Sequence, residues 1–325
     1  MSHSLLPVKD FTLPRRQLHN QKSFIPAPSH EAFTSHFGNA FPKPHFLTSD
    51  LGTTAVYDFP TLSGTSTRQV LMVHGINTPA IGLFPLAKRL QELEKDTHIV
   101  LFDLWGDGLS STPIAPHAPS IFHFQILQIL SYLGWARAEI VGYSFGASLA
   151  VNFTLSSPWV PLSVTLLAPA GLLRFKSFSQ EMQDLLLDST DTREKEAMDC
   201  VFNYLEDGPL IVPSDWKERT SKGEVVAEAV RDFLMKEHAG YRHSVLSAFR
   251  EGGVYGRDEM FSEFSKLPVK KFVVLGELDG VCTKEQLLDL GFEDVEVIPG
   301  EGHNFPRTSA VSAADILHRF WTKYR

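Results

Sequence analysis

The sequence predicts an α/β protein: a mostly parallel central sheet with helices on both faces, interrupted late in the chain by an all-helical insertion. Three observations carry that expectation. Short apolar runs alternate with helix-period segments from about residue 50, strand signals vanish between 171 and 266, and two further strands with a closing helix then follow.

Residues 1–45 are rich in Pro, His and Ser without a sustained period, and read as an irregular N-terminal arm. Lys9, Arg15, Arg16 and Lys22 stand there against Asp10, as in an organelle-targeting leader, but Pro7, Pro14, Pro26 and Pro28 break any long amphipathic helix. A cytoplasmic location is therefore expected ahead of a mitochondrial or other organellar one.

Strands are expected at 54–59 and 69–73, the second apolar enough to be buried on both faces. A helix near 84–93, a strand at 98–102, a helix near 120–133 and a strand at 139–141 continue the rhythm of parallel crossovers. A helix over 147–155 and a strand at 163–167 come next. Helical patterns at 180–187, 193–205 and 225–237 then fill the insertion, before strands at 271–275 and 295–298 and a helix over 309–324. The expected division is an α/β core formed by 46–170 and 267–325, interrupted by an all-helical insertion at 171–266.

Bulk chemistry narrows the function classes. Of 325 residues, 43% are hydrophobic and 21% charged, as in folded globular proteins, which excludes disordered and fibrous classes. The formal charge, 30 − 38 = −8, is spread along the chain and leaves no basic footprint for nucleic acid. A membrane-spanning helix needs about 20 apolar residues, and the most apolar helix candidate, 121–135, is shorter and contains His123 and two Gln, so a soluble protein is expected. Cys200 and Cys282 are too few for a disulfide framework and lack metal-type spacing. Neither a dinucleotide fingerprint nor a phosphate loop occurs, so no cofactor and no metal are expected, and the partner is a small-molecule substrate. Oligomeric state is left open.

The chemistry concentrates in four segments. Gly142-Tyr143-Ser144-Phe145-Gly146 follows an expected strand and precedes an expected helix. That is the context in which a serine sits on a sharp strand-to-helix turn with its hydroxyl above the sheet. His303 lies in the loop after the last strand and, of thirteen histidines, alone has the position of a general base for Ser144. After strand 271–275 come Glu277 and Asp279; Asp279, further beyond the strand tip, is the expected partner of His303, with Glu277 the fallback. Backbone donors for an oxyanion are expected at Phe145 and Ile76, with the Asn77 amide as a possible extra donor and His74 as a buried structural histidine. His117, His123, His238 and His243 read as surface or lid residues.

Together with Asp103-Leu104-Trp105-Gly106-Asp107-Gly108-Leu109-Ser110, these segments make residues 50–325 resemble the α/β-hydrolase superfamily, in the family's order. Asp107 stands where that turn usually carries a basic residue. The resemblance implies an α/β-hydrolase fold with a cap over the serine, and a pocket lined by Ile76, Asn77, Phe145, Trp105 and the cap residues Phe175, Phe202 and Trp216. It also implies a Ser144–His303–Asp279 serine hydrolase acting on an ester, lactone, thioester or related acyl bond of a small, fairly apolar molecule. Epoxide hydrolases and haloalkane dehalogenases share the fold with an aspartate nucleophile, and Ser144 argues against both. A carbon–carbon bond hydrolase or an acyltransferase or cyclase on the same triad, and a ligand-binding receptor, are the alternatives, because fold does not fix function.

Overall fold

A computed structural model describes residues 23–188 and 190–323. Its main sheet has eight strands: β1 (His45–Ser49), β2 (Gly52–Phe59), β3 (Arg68–Val73), β4 (Thr97–Phe102), β5 (Ala138–Tyr143), β6 (Pro161–Leu167), β7 (Lys270–Gly276) and β8 (Val295–Ile298). Their spatial order is β8-β7-β6-β5-β3-β4-β2-β1. The strands from β8 to β4 are parallel, whereas β2 pairs antiparallel with both β4 and β1. Consecutive residues of β3 and β5 are buried, and because neighbouring side chains point to opposite faces, both faces of the sheet must be covered.

Two groups of helices provide the cover. Helix α2 (Phe84–Leu93) packs on α11 (Ala310–Lys323), while α3 (Pro119–Leu133) and α10 (Asp258–Ser265) pack on α4 (Phe145–Ser156). The chain leaves β3 for β4 on one side and returns to β5 on the other. The loops after β3 and β5 therefore meet at a topological switch point, where the carboxyl ends of parallel strands leave a crevice.

Between β6 and β7 the chain forms α5 (Gln180–Leu187), α6 (Glu194–Glu206), α7 (Trp216–Ser221), α8 (Ala227–Glu237), α9 (Tyr241–Glu251) and α10, with a single bridge pairing Leu173 with Tyr255. Among the described residues no helix is long and apolar enough to cross a membrane.

The described part of the N-terminal arm departs from the irregular reading. It contains helix α1 (His30–Phe37), capped by Ser29, whose side chain accepts from the Ala32 N–H. Phe33 and Phe37 are buried, with ring centroids 5.6 Å from Phe233 and Trp216 respectively. The eight-residue helix is held by tertiary packing, which so short a segment does not announce in its own periodicity. The basic residues Lys9, Arg15, Arg16 and Lys22 lie outside the described residues.

Two histidines read as surface groups, His117 and His238, are buried. Each packs an aromatic ring, Phe122 and Tyr241, and His238 Nε2 lies 2.9 Å from the Ser110 carbonyl.

Candidate functional site

The turn after β5 places Ser144 at φ 53°, a left-handed conformation that L-residues with side chains avoid. Such strain costs about 1–3 kcal/mol and persists only where the surroundings over-determine it. Here the Ser144 N–H donates to the Leu167 carbonyl, and its own carbonyl accepts from Ala147 and Ala170. The turn also needs its glycines: a Cβ on Gly146 would lie 2.2 Å from the Val73 carbonyl oxygen, and one on Gly142 would lie 2.5 Å from that of Gly146.

The Ser144 hydroxyl faces His303, with Oγ and Nε2 2.9 Å apart, and the other ring nitrogen, Nδ1, is 3.0 Å from Asp279 Oδ2. The Asp279 side chain is fully buried and its second oxygen accepts from the Val281 N–H. That fixes the carboxylate, so Nδ1 carries the proton donated to it and Nε2 is left as an acceptor for the serine proton. Three side chains from three loops of the same sheet edge are thus joined.

Glu277 does not join them. Its carboxylate accepts from the Gly300 N–H at 2.7 Å and so braces the loop that carries His303. The same loop approaches β7 closely, since a Cβ on Gly276 would lie 2.5 Å from the Glu301 carbonyl oxygen. Beneath the imidazole, the Tyr143 hydroxyl donates to the His303 carbonyl, and burial holds that phenol above its ordinary pKa. Cys282 is buried beside this loop; desolvation, aided by the Asp279 charge, pushes its thiol up to about 12.

Across from the histidine, His74 is buried and desolvation lowers it to about 4, so the ring is neutral. Nδ1 donates to the Gly75 carbonyl and Nε2 accepts from the Leu104 N–H, which ties the loop after β3 to the loop after β4. Asp103, fully buried, accepts from the N–H groups of Ala80 and Leu109 and from the Tyr57 hydroxyl, and desolvation raises it to about 6. Asp107 is buried too, and its carboxyl is raised by desolvation and by the nearby Asp103. Phe145 is the first residue of α4, where an N–H has no intrahelical acceptor and the helix dipole favours negative charge. Ile76, half-buried, has an N–H without a backbone acceptor among the described residues.

A cavity of about 660 Å³ opens on Ser144 and His303. Its apolar wall includes Ile76, Leu205 and Phe249, and its polar wall includes Asn77, Glu206 and Arg231. Trp105 and Phe145 line a separate small recess that shares Ile76 with it. Three residues expected in the pocket are elsewhere. Phe175 packs against Phe178 and Tyr255, Phe202 against Tyr241 beneath Arg242, and Trp216 stacks on His36 of α1. Aromatics at helical spacing went into the packing of the inserted helices, and periodicity does not separate that from pocket lining. The Asn77 amide, expected as an extra oxyanion donor, donates instead to Glu206. Tyr204, Glu206 and Arg231 line the cavity without having been singled out in the sequence; a Glu and an Arg 25 residues apart carry no local signal of meeting. Among the described residues no cluster of His, Cys, Asp or Glu could hold a metal ion.

A curated poly(3-hydroxyalkanoate) depolymerase from Ectopseudomonas oleovorans is 29% identical over 89 residues, covering 27% of this chain and 30% of that protein's own length. Among solved structures, Est816, an N-acyl homoserine lactone degrading enzyme, superposes with a TM-score of 0.64 at 17% identity, covering 85% of this chain and 100% of that one. The enol-lactonase from Burkholderia xenovorans LB400 gives 0.63 at 15% identity, covering 86% and 100%. At these identities the structural likeness establishes the fold. The model of the alpha/beta hydrolase family matches residues 70–314, most of the chain, and the protein belongs to that family.

Proposed function

We propose that the protein is a serine hydrolase that cleaves an ester, lactone, thioester or related acyl bond of a small, fairly apolar molecule through an acyl-enzyme on Ser144. The observation that carries this reading is the continuous relay from Ser144 Oγ to His303 Nε2 at 2.9 Å and from His303 Nδ1 to Asp279 Oδ2 at 3.0 Å, on a turn held at positive φ.

His303 removes the proton of the Ser144 hydroxyl as Oγ attacks the carbonyl carbon, and Asp279 holds the imidazole and stabilises the imidazolium that forms. The N–H groups of Phe145 and Ile76 receive the charge that develops on the carbonyl oxygen. His303 then protonates the leaving group, and a water molecule, activated by the same imidazole, releases the acid and restores Ser144. A cavity of about 660 Å³ suits a small substrate, and its mixed wall suits a body that is apolar with a few polar groups. The lactonase and depolymerase activities named for the similar proteins are consistent with ester or lactone chemistry here.

Incubation with a fluorophosphonate followed by intact-mass measurement tests the reading. One adduct is expected on the wild-type protein and none on Ser144→Ala, with turnover of short p-nitrophenyl esters lost in parallel. A folded wild-type protein that gains no adduct would remove the claim.

A further inference from the structure

Asn77 directly follows Ile76 and, though not a glycine, is held at φ 72°. Asparagine tolerates this region better than most residues, but the conformation still needs support. The support comes from the inserted helices and not from the sheet. Asn77 Nδ2 donates to Glu206 Oε1 of α6 at 2.7 Å, and the Tyr241 hydroxyl of α9 lies 2.6 Å from Asn77 Oδ1 and 3.2 Å from the Asn77 carbonyl. Arg231 of α8 closes the cluster, with Nη2 2.8 Å from Glu206 Oε2 and Nη1 3.5 Å from the Thr78 hydroxyl.

Burial makes these contacts hard to replace. The Glu206 and Arg231 side chains are 7% and 12% exposed and Tyr241 is fully buried, so water cannot readily take over a broken bond. Among the described residues, the hydrogen bonds from the loops of the core to this segment fall at its two ends, at His74 and at Ala80. Between those anchors, α6 and α9 bond the Asn77 carboxamide directly, and α8 supports them through Arg231, which holds Glu206 and reaches Thr78.

We infer that Asn77 is a positioning residue through which α6, α8 and α9 set the direction of the Ile76 N–H, so that the oxyanion site is complete only while the inserted helices are seated on the core. This rests on the serine-hydrolase reading. Asn77 need not touch the substrate; it holds the backbone turn that aims its neighbour. Loss of one oxyanion donor lowers kcat by about 10²–10³-fold, so a donor left in place but badly aimed should lower it by about tenfold.

The test is a double-mutant cycle on Tyr241→Phe and Asn77→Gly, read in kcat and KM separately and in deuterium uptake by residues 74–80. Phenylalanine removes only the hydroxyl, and glycine keeps the positive φ while removing the carboxamide. Each single variant is expected to lose about tenfold in kcat with KM within about twofold, and the double variant to be no slower than Asn77→Gly, because both act through one group. Deuterium uptake at 74–80 should rise in both. Additive losses in kcat, a change confined to KM, or unchanged uptake would overturn the inference. Wild-type protein with neither ester turnover nor a fluorophosphonate adduct would instead overturn the hydrolase reading, and the uptake measurement would still judge the clamp on its own.

Discussion

The two carboxylates after β7 are two residues apart and do different things. Asp279 is buried on the imidazole, whereas Glu277 braces the backbone of the loop at Gly300. Asp279→Asn keeps the shape but offers an amide to Nδ1, which favours the wrong tautomer, so kcat should fall by about 10⁴-fold. Glu277→Gln keeps an oxygen that can accept from Gly300 and should cost no more than about tenfold in kcat, in line with loss of a positioning contact. Steady-state kinetics on a short ester separates the two, and equal losses would mean that the roles are shared. Gly146→Ala is a harsher change: the added methyl meets the Val73 carbonyl, which cannot swing aside as a side-chain tip can. Activity should fall below detection, and the melting temperature should fall with it.

Much of this was legible residue by residue. Ser144 and His303 stood out because their motif and their place after a strand agreed. Asp279 ranks above Glu277 by its greater distance from the strand tip, and the structure shows the physical reason: the turn from Gly276 buries Asp279 against the imidazole. Asn77 was read as a donor to substrate because its position beside Ile76 is visible in the sequence, while the acid it meets, Glu206, is 129 residues away.

At the scale of elements, strands buried on both faces were the easiest to read. The apolar runs that became β3 and β4 leave no other way to hide consecutive side chains. Helix α1 departs from the irregular arm expected there, and the reason is physical: its two buried phenylalanines make a single i, i+4 pair, too short a repeat to read as a sustained period, and the helix is held by α7 and α8. Phe33→Ala and Phe37→Ala should each destabilise the protein by about 3 kcal/mol, the usual cost of removing a buried phenyl ring. Urea unfolding monitored by tryptophan fluorescence measures this, and a loss below about 1 kcal/mol in both would show that α1 rests only loosely on its neighbours. The inserted helices teach the same lesson from the other side. Their helical patterns are legible in the sequence, but which aromatic side chains turn to the cavity depends on packing between helices.

For the whole molecule, the buried titratable groups set how stability responds to acid. Desolvation lowers His74 and His117 to about 4 from an ordinary 6.5. Between those values the unfolded chain takes up protons that the folded chain refuses, so each histidine weakens the fold as pH drops from 6.5 toward 4. Asp103 works in the opposite direction. Its folded carboxyl keeps a proton up to about 6 that the unfolded one has lost by 3.8, so acid favours the folded state through this group. His117→Gln should therefore flatten the decline in unfolding free energy between pH 6.5 and 4 by about 1.4 kcal/mol per pH unit, whatever it does at neutral pH. Asp103→Asn should steepen the decline. Urea titrations at pH 7 and pH 5 measure both slopes, and variants with the wild-type slope would show that these groups titrate alike in both states.

The order of the chain adds a consequence in time. Ser144 belongs to the stretch made before the inserted helices, and Asp279 and His303 to the stretch made after them, with His303 on the last loop before the closing helices. A polypeptide still emerging from the ribosome therefore carries its elbow hydroxyl as an ordinary, unreactive alcohol. On the mechanism proposed here, the cell meets a reactive nucleophile only after the inserted helices have been made and the loop that carries His303 has docked.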